Sequence, residues 1–593
     1  MIDEDLIFQQ SGKRIKLSNN RNISWIFFYS IFLIGVFYFI FLQVFLKKDL
    51  ILAETNMKYL TYFSFPPRGI IYDRFGEILA MSENSFDVYI DLSKYQNEKF
   101  FLDGNFFYRG NQLIIRNVNR EKALDLIIKE KQSNYLKVIP SYHRRYLAGE
   151  SIGNLIGFVG FPTKNQSQFH PEEFIGKSGL ELVYQEYLRG RPGEIVYQRG
   201  YNNTLKKIRE IQPLAGSNLI LTINGQFQQK AYELIKDYFQ EHNYQKGAFI
   251  ALDPNSGEII SLISFPSYDP NWLLDKKKAL LVLNNSNQPL FNRAISGLYS
   301  PGSTIKPLVA IGALEEKIVS PETKIYSSGE LKIPNPYLPG RYSVFKDNKV
   351  HGWTDIRKAI ADSVNIYFYV VAGGYPYPSD EIPIKNGLGI SRLFRYWQLF
   401  NLGQRTGIDL NGEEEGFLPS PEKKSLNLTD KVWRLGDTYN VAIGQGDILV
   451  TPLQIALWTS ALATNRIYQP FLVKKIVNNN GQVIFTRQPI IKKDKLVNPE
   501  NLKIIQEGMR QTVTNGTAKM LNDLEVKVAG KSGTPEIFGK KKLNAIFTGY
   551  FPYEKPEIVM TLLIENVPIG SVATLPLYKE LVKTYLDLKK LKN

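Results

Sequence analysis

Ser303-Thr304-Ile305-Lys306 opens the run STIKPLVAIGALEE (303–316), and the reading of the whole chain turns on it. Pro301 and Gly302 precede it, and apolar residues then recur at helical spacing, so the run reads as one helix opened by the Pro-Gly pair. Residues three apart share a helix face, which brings the Lys306 amine within reach of the Ser303 hydroxyl. The helix N-terminus adds free N–H groups and a positive dipole end, both favouring negative charge that develops nearby. A lysine must be neutral to take a serine proton, so its pKa has to fall through burial and nearby cations. Two further motifs complete the set. Ser363-Val364-Asn365 follows the helical stretch HGWTDIRKAIAD (351–362), and Lys531-Ser532-Gly533-Thr534 reads as a strand ahead of PEIF (535–538).

Each motif is cheap when taken alone in a chain rich in lysine and asparagine. Ser-x-x-Lys recurs at Ser343–Lys346 and Ser420–Lys423, and Lys177-Ser178-Gly179 imitates the third motif. Context separates them. Ser343 is expected in a Pro/Gly-rich loop and Ser420 in another, whereas Ser303 alone opens a long apolar helix with lysine one turn on. Positions 303, 363 and 531 also leave room for a helical insertion between the first motif and the last. Neither Gly176-Lys177-Ser178 nor Gly530-Lys531-Ser532 has the earlier glycine of a phosphate-binding loop. No Gly-x-Ser-x-Gly elbow is present, which argues against an α/β-hydrolase triad.

At 593 residues the chain is too long for one core. It has no cysteine, which removes disulfides, thiolate nucleophiles and cysteine metal sites, and its four histidines are not paired at ligand spacing, so no metal is expected. A net charge of +16 suits nucleic acid, anionic lipid or an acidic polymer, and charge alone does not choose. No nucleic-acid-binding signature is present, and residues 23–46 turn the expectation towards membrane lipid. That run, ISWIFFYSIFLIGVFYFIFLQVFL, is uncharged and long enough to cross a bilayer. Basic residues are heavier before it (Lys13, Arg14, Lys16, Arg21) than after (Lys47, Lys48), so the N-terminus is expected in the cytoplasm and the rest outside. The run is too long for a cleaved signal peptide.

The predicted organisation is a cytoplasmic tail (1–22), a single transmembrane signal-anchor helix (23–46), an elongated strand-rich pedestal (47–215) and a catalytic domain (216–593). FDVYIDL (86–92) and EKALDLIIKEK (121–131) give the pedestal a strand and a helix. Beyond the Pro/Gly-rich boundary come a strand (218–224), a helix (225–239) and a hairpin of AFIALDP and EIISLISF. The last strands are AIFTGYF (545–551) and EIVMTLLIE (557–565), with a closing helix over 578–590. The fold class is α+β, a sheet flanked by helices.

The three motifs in this order are the signature of serine β-lactamases and penicillin-binding proteins. NQPLFNRAISGLYSPGSTIKP (287–307) and GAFIALDPNSGEIISLISFPSYDPN (247–271) resemble the nucleophile region of class B penicillin-binding proteins. PPRGIIYDRFGEILA (66–80) resembles the family's membrane-proximal motif, with Arg68, Asp73 and Arg74 in place, and GKSGLELVYQEYLRGRPG (176–193) its later pedestal motif. SVNIYFYVVA (363–372) and GDTYNVAIGQGDILVTPLQIA (436–456) are similar to the elongation-type branch, the penicillin-binding protein 2 group. Two departures stand out: Lys-Ser-Gly-Thr-Pro replaces the usual Lys-Thr-Gly-Thr-Ala, and NAIFTGYFP (544–552) lacks the family's histidine–tryptophan style.

The resemblance implies a penicillin-binding, serine β-lactamase-like transpeptidase domain with a central antiparallel sheet, and a peptidoglycan D,D-transpeptidase activity. Ser303 would attack the penultimate D-alanine carbonyl of a D-Ala-D-Ala donor stem peptide, with Lys306 as base. Ser363 would relay a proton, and Asn365 would hold Lys306 and the substrate amide. Lys531, Ser532, Gly533 and Thr534 would hold the terminal carboxylate and line the strand. The N–H groups of Ser303 and Thr534 would form an oxyanion hole, of order 3 kcal/mol per donor. An amine acceptor from a second stem peptide completes the reaction, and no cofactor is needed. Implied partners are β-lactams, a membrane glycan polymerase of the shape-elongation-division-sporulation family and elongation scaffold proteins, with Arg68, Asp73 and Arg74 coupling the pedestal to the polymerase. Two rivals stay open: hydrolysis of the acyl-enzyme, as in a carboxypeptidase or β-lactamase, and a catalytically weak scaffold. Glu413, Glu414 and Glu415 are the carboxylates a hydrolase would need, and they read as structural or solvated.

Overall fold

A computed structural model describes residues 20–41, 59–94, 105–133, 135–199, 205–335, 340–426, 430–537 and 542–591. They fall into two compact units, residues 1–64 with 192–213, and residues 65–191 with 214–593. In the first unit the helix Asn20–Phe41 stands at the N-terminal end, and a three-stranded antiparallel sheet has Gly193–Arg199 between Tyr59–Ser64 and Leu205–Ile211. The expected membrane span runs on to residue 46, and its last five residues lie outside the described ones. Counted over the described residues alone, no helix is long and apolar enough to cross a membrane.

The second unit is built on two sheets. One has five antiparallel strands in the order Ile259–Phe265, Gly247–Leu252, Ile558–Val567, Leu543–Phe551 and Ala529–Gly533. Alternation along each strand feeds two cores, as a period of two requires. Phe249 and Ala251 pack with Phe227, Tyr578 and Leu581, from the helices Gly225–Glu241 and Leu575–Lys590. Ala248, Ile250 and Leu252 face the opposite side, where Leu308, Ile311 and Trp458 lie. Every residue of the helix Pro452–Thr464 from Pro452 to Ala463 is buried, the polar Gln454, Thr459 and Ser460 included, so the element is enclosed on all faces. Lys306–Glu315 is buried in the same way, from Lys306 to Leu314. The sheet, the closing helix and the 247–265 hairpin are those the sequence predicts.

The eight-stranded sheet draws from both sides of residue 215. Ile71–Tyr72 pairs in parallel with Asn218–Leu221 and antiparallel with Ile78–Asp91, while Val473–Val477 pairs with Asn218–Leu221. The charged residues of the 66–80 motif tie this sheet inward. Arg68 is buried and pairs with the fully buried Glu181 at 2.7 Å. Burial alone would raise the Glu181 carboxyl, but Arg144 and Arg68 hold it below its usual value. Asp73 is fully buried; its Oδ1 accepts the N–H groups of Phe75 and Glu77 (both 2.8 Å), and its Oδ2 accepts that of Gly225 (3.0 Å). That last bond sets a carboxylate at the N-terminus of the helix Gly225–Glu241, where the helix dipole favours it. Arg74 pairs with Glu258 at 3.0 Å. All three are spent on internal ties, because their counter-charges and backbone donors lie within the same unit.

Asp73→Ala strands three backbone donors at a cost of about 1–3 kcal/mol for each that finds no water. Denaturant melts are expected to show a loss of at least about 2 kcal/mol, with partial recovery in Asp73→Asn. A parent-like midpoint for the alanine variant would contradict the structural role.

Candidate active site

The nucleophile turn starts from a glycine that the geometry requires. Gly302 has φ +53°, its N–H donates to Gly444 O at 3.0 Å, and a Cβ there would lie 2.8 Å from Pro535 Cδ. Residues Gly302–Ile305 form a single 3₁₀ turn, and the α-helix begins only at Lys306, so the expected single helix from Ser303 is in fact two elements. The physical reason lies in the sequence. Pro307 suits the first turn of a helix but has no N–H to donate to the Ser303 carbonyl, which accepts the Lys306 N–H instead and closes a 3₁₀ turn. Ser303 is half-buried at the lip of the site, and Lys306 is fully buried behind it.

Lys306 is the hub. Its Nζ donates to Ser363 O (2.7 Å) and Asn365 Oδ1 (2.6 Å), lies 3.3 Å from Ser363 Oγ, and sits 5.3 Å from the Phe368 ring centre. Burial pushes the amine down to about 7, with the Asp347 carboxylate pulling the other way. Of the two expected causes, burial is the one that lowers it. The two carbonyl oxygens are acceptors only and take two N–H groups, so one position on the nitrogen remains, with the Ser363 hydroxyl 3.3 Å away. In a neutral amine that position is the lone pair.

The other two motifs converge on the same place. Ser363 has φ +59°, uncommon for a residue with a side chain, and the turn it makes delivers its carbonyl to Lys306 before the helix Asn365–Gly373 begins. Asn365 Nδ2 donates to Lys346 O at 3.3 Å. Lys531 is fully buried on the edge strand Ala529–Gly533, its Nζ donating to Ser532 O at 2.9 Å. Burial, then the charge of Lys306, push its amine well below the ordinary range, with Asp362 opposing. Ser532 Oγ shares a hydrogen bond with Thr517 Oγ1 at 2.8 Å, and Thr534 Oγ1 accepts the Ser571 N–H at 2.9 Å. Gly533 lies so close to the nucleophile turn that a Cβ there would meet Thr304 Cγ2 at 2.9 Å. Ser303, Lys306, Ser363, Asn365 and 531–534 are thus one site.

Asp347 and Thr517 were not legible beforehand. Asp347 Oδ2 accepts the Ile366 N–H at 3.0 Å, capping the helix that starts at Asn365, and Tyr369 Oη donates to Lys346 O at 3.3 Å. The decoys fall elsewhere, for reasons that correct the loop assignments. Ser343 lies on the strand Tyr342–Lys346, paired with Glu330–Pro334, and Ser420 caps the short helix Pro421–Ser425 by accepting the Lys423 N–H. Glu413 is buried and structural, accepting the N–H groups of Thr406 (2.6 Å) and Gly407 (3.0 Å), while Glu414 and Glu415 are exposed. Among the described residues no cluster could hold a metal ion.

A serine at the head of a buried helix, backed by a buried lysine and flanked by an open strand edge, defines the penicillin-interacting serine acyltransferases. Residues 247–585 match the penicillin binding protein transpeptidase domain, and residues 103–221 match the penicillin-binding protein dimerisation domain. The peptidoglycan D,D-transpeptidase MrdA of Haemophilus influenzae is 32% identical over 579 residues, covering 88% of this chain and 84% of that one. A solved chain from a peptidoglycan synthase complex that coordinates polymerization and crosslinking aligns with TM-score 0.71 at 27% identity, over 96% of this chain and 98% of that one. The penicillin-binding protein PBP2 of Helicobacter pylori, solved in complex with MreC, aligns with TM-score 0.71 over 89% of this chain and 99% of its own, and at 24% identity shows the shared fold. The chain belongs to the penicillin-binding protein transpeptidase family, as the sequence motifs imply.

Gly302→Ala forces a side chain against Pro535 and into a left-handed backbone. It is expected to slow penicillin acylation at least about tenfold by displacing the strand that faces Ser303, with a smaller effect on the melting temperature. Parent-like acylation kinetics would show that the close approach is not needed.

Proposed function

We propose that this protein is a serine-type peptidoglycan D,D-transpeptidase of the elongation type, acting through a Ser303 acyl-enzyme. The observation that carries the reading is the burial of Lys306 against Ser363 and Asn365, which keeps a lysine near neutrality one turn from a half-exposed serine. In the first step neutral Lys306 takes the Ser303 proton as Oγ bonds to the penultimate D-alanine carbonyl. The N–H groups of Ser303 and Thr534 hold the oxyanion. Collapse then releases D-alanine, whose amine takes a proton through Ser363. In the second step an amine of another stem peptide attacks the ester and returns Ser303. The substrate's terminal carboxylate lies toward Lys531 and Ser532. A carboxylate beside Lys531 favours the charged amine and reverses the effect of burial.

Residues 1–22 are a cytoplasmic tail on this reading, 23–46 a single-pass anchor, and the catalytic part works outside the cytoplasmic membrane. Partners are a membrane glycan polymerase of the shape-elongation-division-sporulation family and an elongation scaffold. The solved relatives, one in a synthase complex and one with MreC, support that assignment. Arg68, Asp73 and Arg74 contribute by fixing the shape of the segment.

Mass spectrometry after penicillin treatment is expected to find one adduct, on Ser303. Ser303→Ala abolishes it, while Ser343→Ala and Ser420→Ala keep it. An adduct on any other serine would falsify the assignment. Because only the neutral amine accepts the proton, acylation is expected to rise with pH and level off above about 7, falling roughly tenfold per unit below that value. A rate independent of pH from 5 to 9 would remove Lys306 as the base.

A further inference from the structure

Away from the nucleophile, a cavity of about 270 Å³ opens where the strand Ile259–Phe265 leaves the five-stranded sheet. Phe265, Tyr232 and Trp272 give it aromatic walls, and Glu150 and Lys236 line one side. It is smaller than the roughly 300–1,000 Å³ of sites for drug-sized ligands, so it has room for about one ring. The walls are held before any ligand arrives. Phe265 packs edge-on against Phe239, with ring centres 4.9 Å apart, and lies 5.8 Å from the Tyr232 ring. The turn Pro270–Leu274, which carries Trp272, is pinned by Asn271, whose amide exchanges hydrogen bonds with the main chain of Tyr146 at 2.8 and 3.0 Å.

The charges of the cavity cancel within it. Glu150 accepts from Lys236 Nζ at 2.8 Å and from Tyr232 Oη at 3.1 Å, so a charged ligand would find no counter-charge left for it. The groups that remain are neutral and polar. Gln240 and Asn285 line the cavity and are exposed, and Asn285 uses only its Oδ1, on the Asn287 N–H. The Gln240 amide, the Asn285 Nδ2 and the indole N–H of the half-buried Trp272 have no hydrogen-bond partner among the described residues. Aromatic walls with unpaired amides around a neutral space suit a pyranose. Its C–H face packs on a ring, and its hydroxyl and acetamido rim meets the amides and the indole N–H.

The place of the cavity narrows the choice of sugar. Ser264 pairs with Ala248, Ala248 with Leu563, Leu563 with Ile546 and Ile546 with Gly533, so Phe265 and Thr534 leave the sheet at the same end. Four strand spacings separate them, about 19 Å. A stem peptide is attached to its glycan strand through its first residue, and four extended residues span about 13 Å. The link to the strand and the width of a sugar cover the remainder. We propose that this cavity binds an N-acetylated amino sugar of a glycan strand while a stem peptide of that strand reaches Ser303, with Trp272 against the ring and Gln240 and Asn285 at its rim. The inference rests on the transpeptidase reading above.

The test uses the full chain and the β-1,4-linked tetramer of N-acetylglucosamine, which carries no peptide. Saturation-transfer NMR is expected to show transfer to the acetyl and ring protons that saturates with tetramer concentration. Protein first labelled to completion with penicillin should give the same affinity, because the two sites lie about 19 Å apart. Trp272→Ala and Gln240→Ala are each expected to weaken binding at least about fivefold, roughly the worth of one net hydrogen bond, while fluorescent penicillin labels both at the parent's rate. Gln240 is an exposed helix residue, so its variant decides the matter if the tryptophan is needed for folding. No transfer in the parent, loss of transfer on penicillin labelling, or parent-like affinity in the Gln240 variant would overturn the site. A folded protein that penicillin does not label at all would overturn the transpeptidase reading instead.

Discussion

Lys306 lies in the interior with its amine held by one main-chain carbonyl and one side-chain carbonyl, at 2.7 and 2.6 Å. An ammonium in that position loses its hydration, and two neutral acceptors repay only part of the loss, so the equilibrium moves toward the amine. The rest of the catalytic unit serves that placement. The helix Lys306–Glu315 has to be buried along its whole length to carry the lysine inward. The backbone at Ser363 has to turn left-handed to present its carbonyl. The strand Tyr342–Lys346 has to end where Lys346 O and the Asp347 carboxylate can hold Asn365 and the start of its helix.

The sheet supplies the second constraint, an edge that stays open. Ala529–Gly533 has one neighbour, Leu543–Phe551, and its other side faces the nucleophile turn. Exposed edges invite unwanted pairing and are usually blunted. Here the edge is short, and the nucleophile turn approaches it closely, Gly302 beside Pro535 and Thr304 beside Gly533. Pro535, the departure from the usual alanine, belongs to that arrangement. It has no N–H to donate, yet its carbonyl accepts the Asn544 N–H at 3.0 Å and Glu536 bridges Leu543, so pairing runs on past it while its ring fills the space beside Gly302.

Much of this could be read from residue order, and the parts that could not have a common cause. The strands 247–252 and 558–567 were legible as short apolar runs buried on both faces, and the helix 225–241 because one face of it meets a core. The three motifs were legible because chemistry restricts their residue types. Asp347 was not, since a buried carboxylate capping Ile366 looks in sequence like any acid in a turn. The break between the 3₁₀ turn and the helix at Lys306 was also hidden, although Pro307 carried the signal. Arg68, Asp73 and Arg74 read as solvated or partner-facing charges because sequence does not reveal counter-charges that lie far along the chain. Glu181 and Glu258 are such partners.

The two buried lysines set the final term. Each is disfavoured as a cation by burial, and the charge of Lys306 further disfavours that of Lys531. The carboxylates that oppose this are divided between them, Asp347 acting on Lys306 and Asp362 on Lys531. One added proton is therefore tolerated far better than two, and its position depends on which amine has the stronger counter-charge. On the proposed mechanism a substrate brings its terminal carboxylate to Lys531, which draws the proton to that side. The cation formed there then lowers the basicity of Lys306 and keeps it neutral for the attack. On that mechanism, recognition of the carboxylate and activation of Ser303 are two consequences of one electrostatic balance.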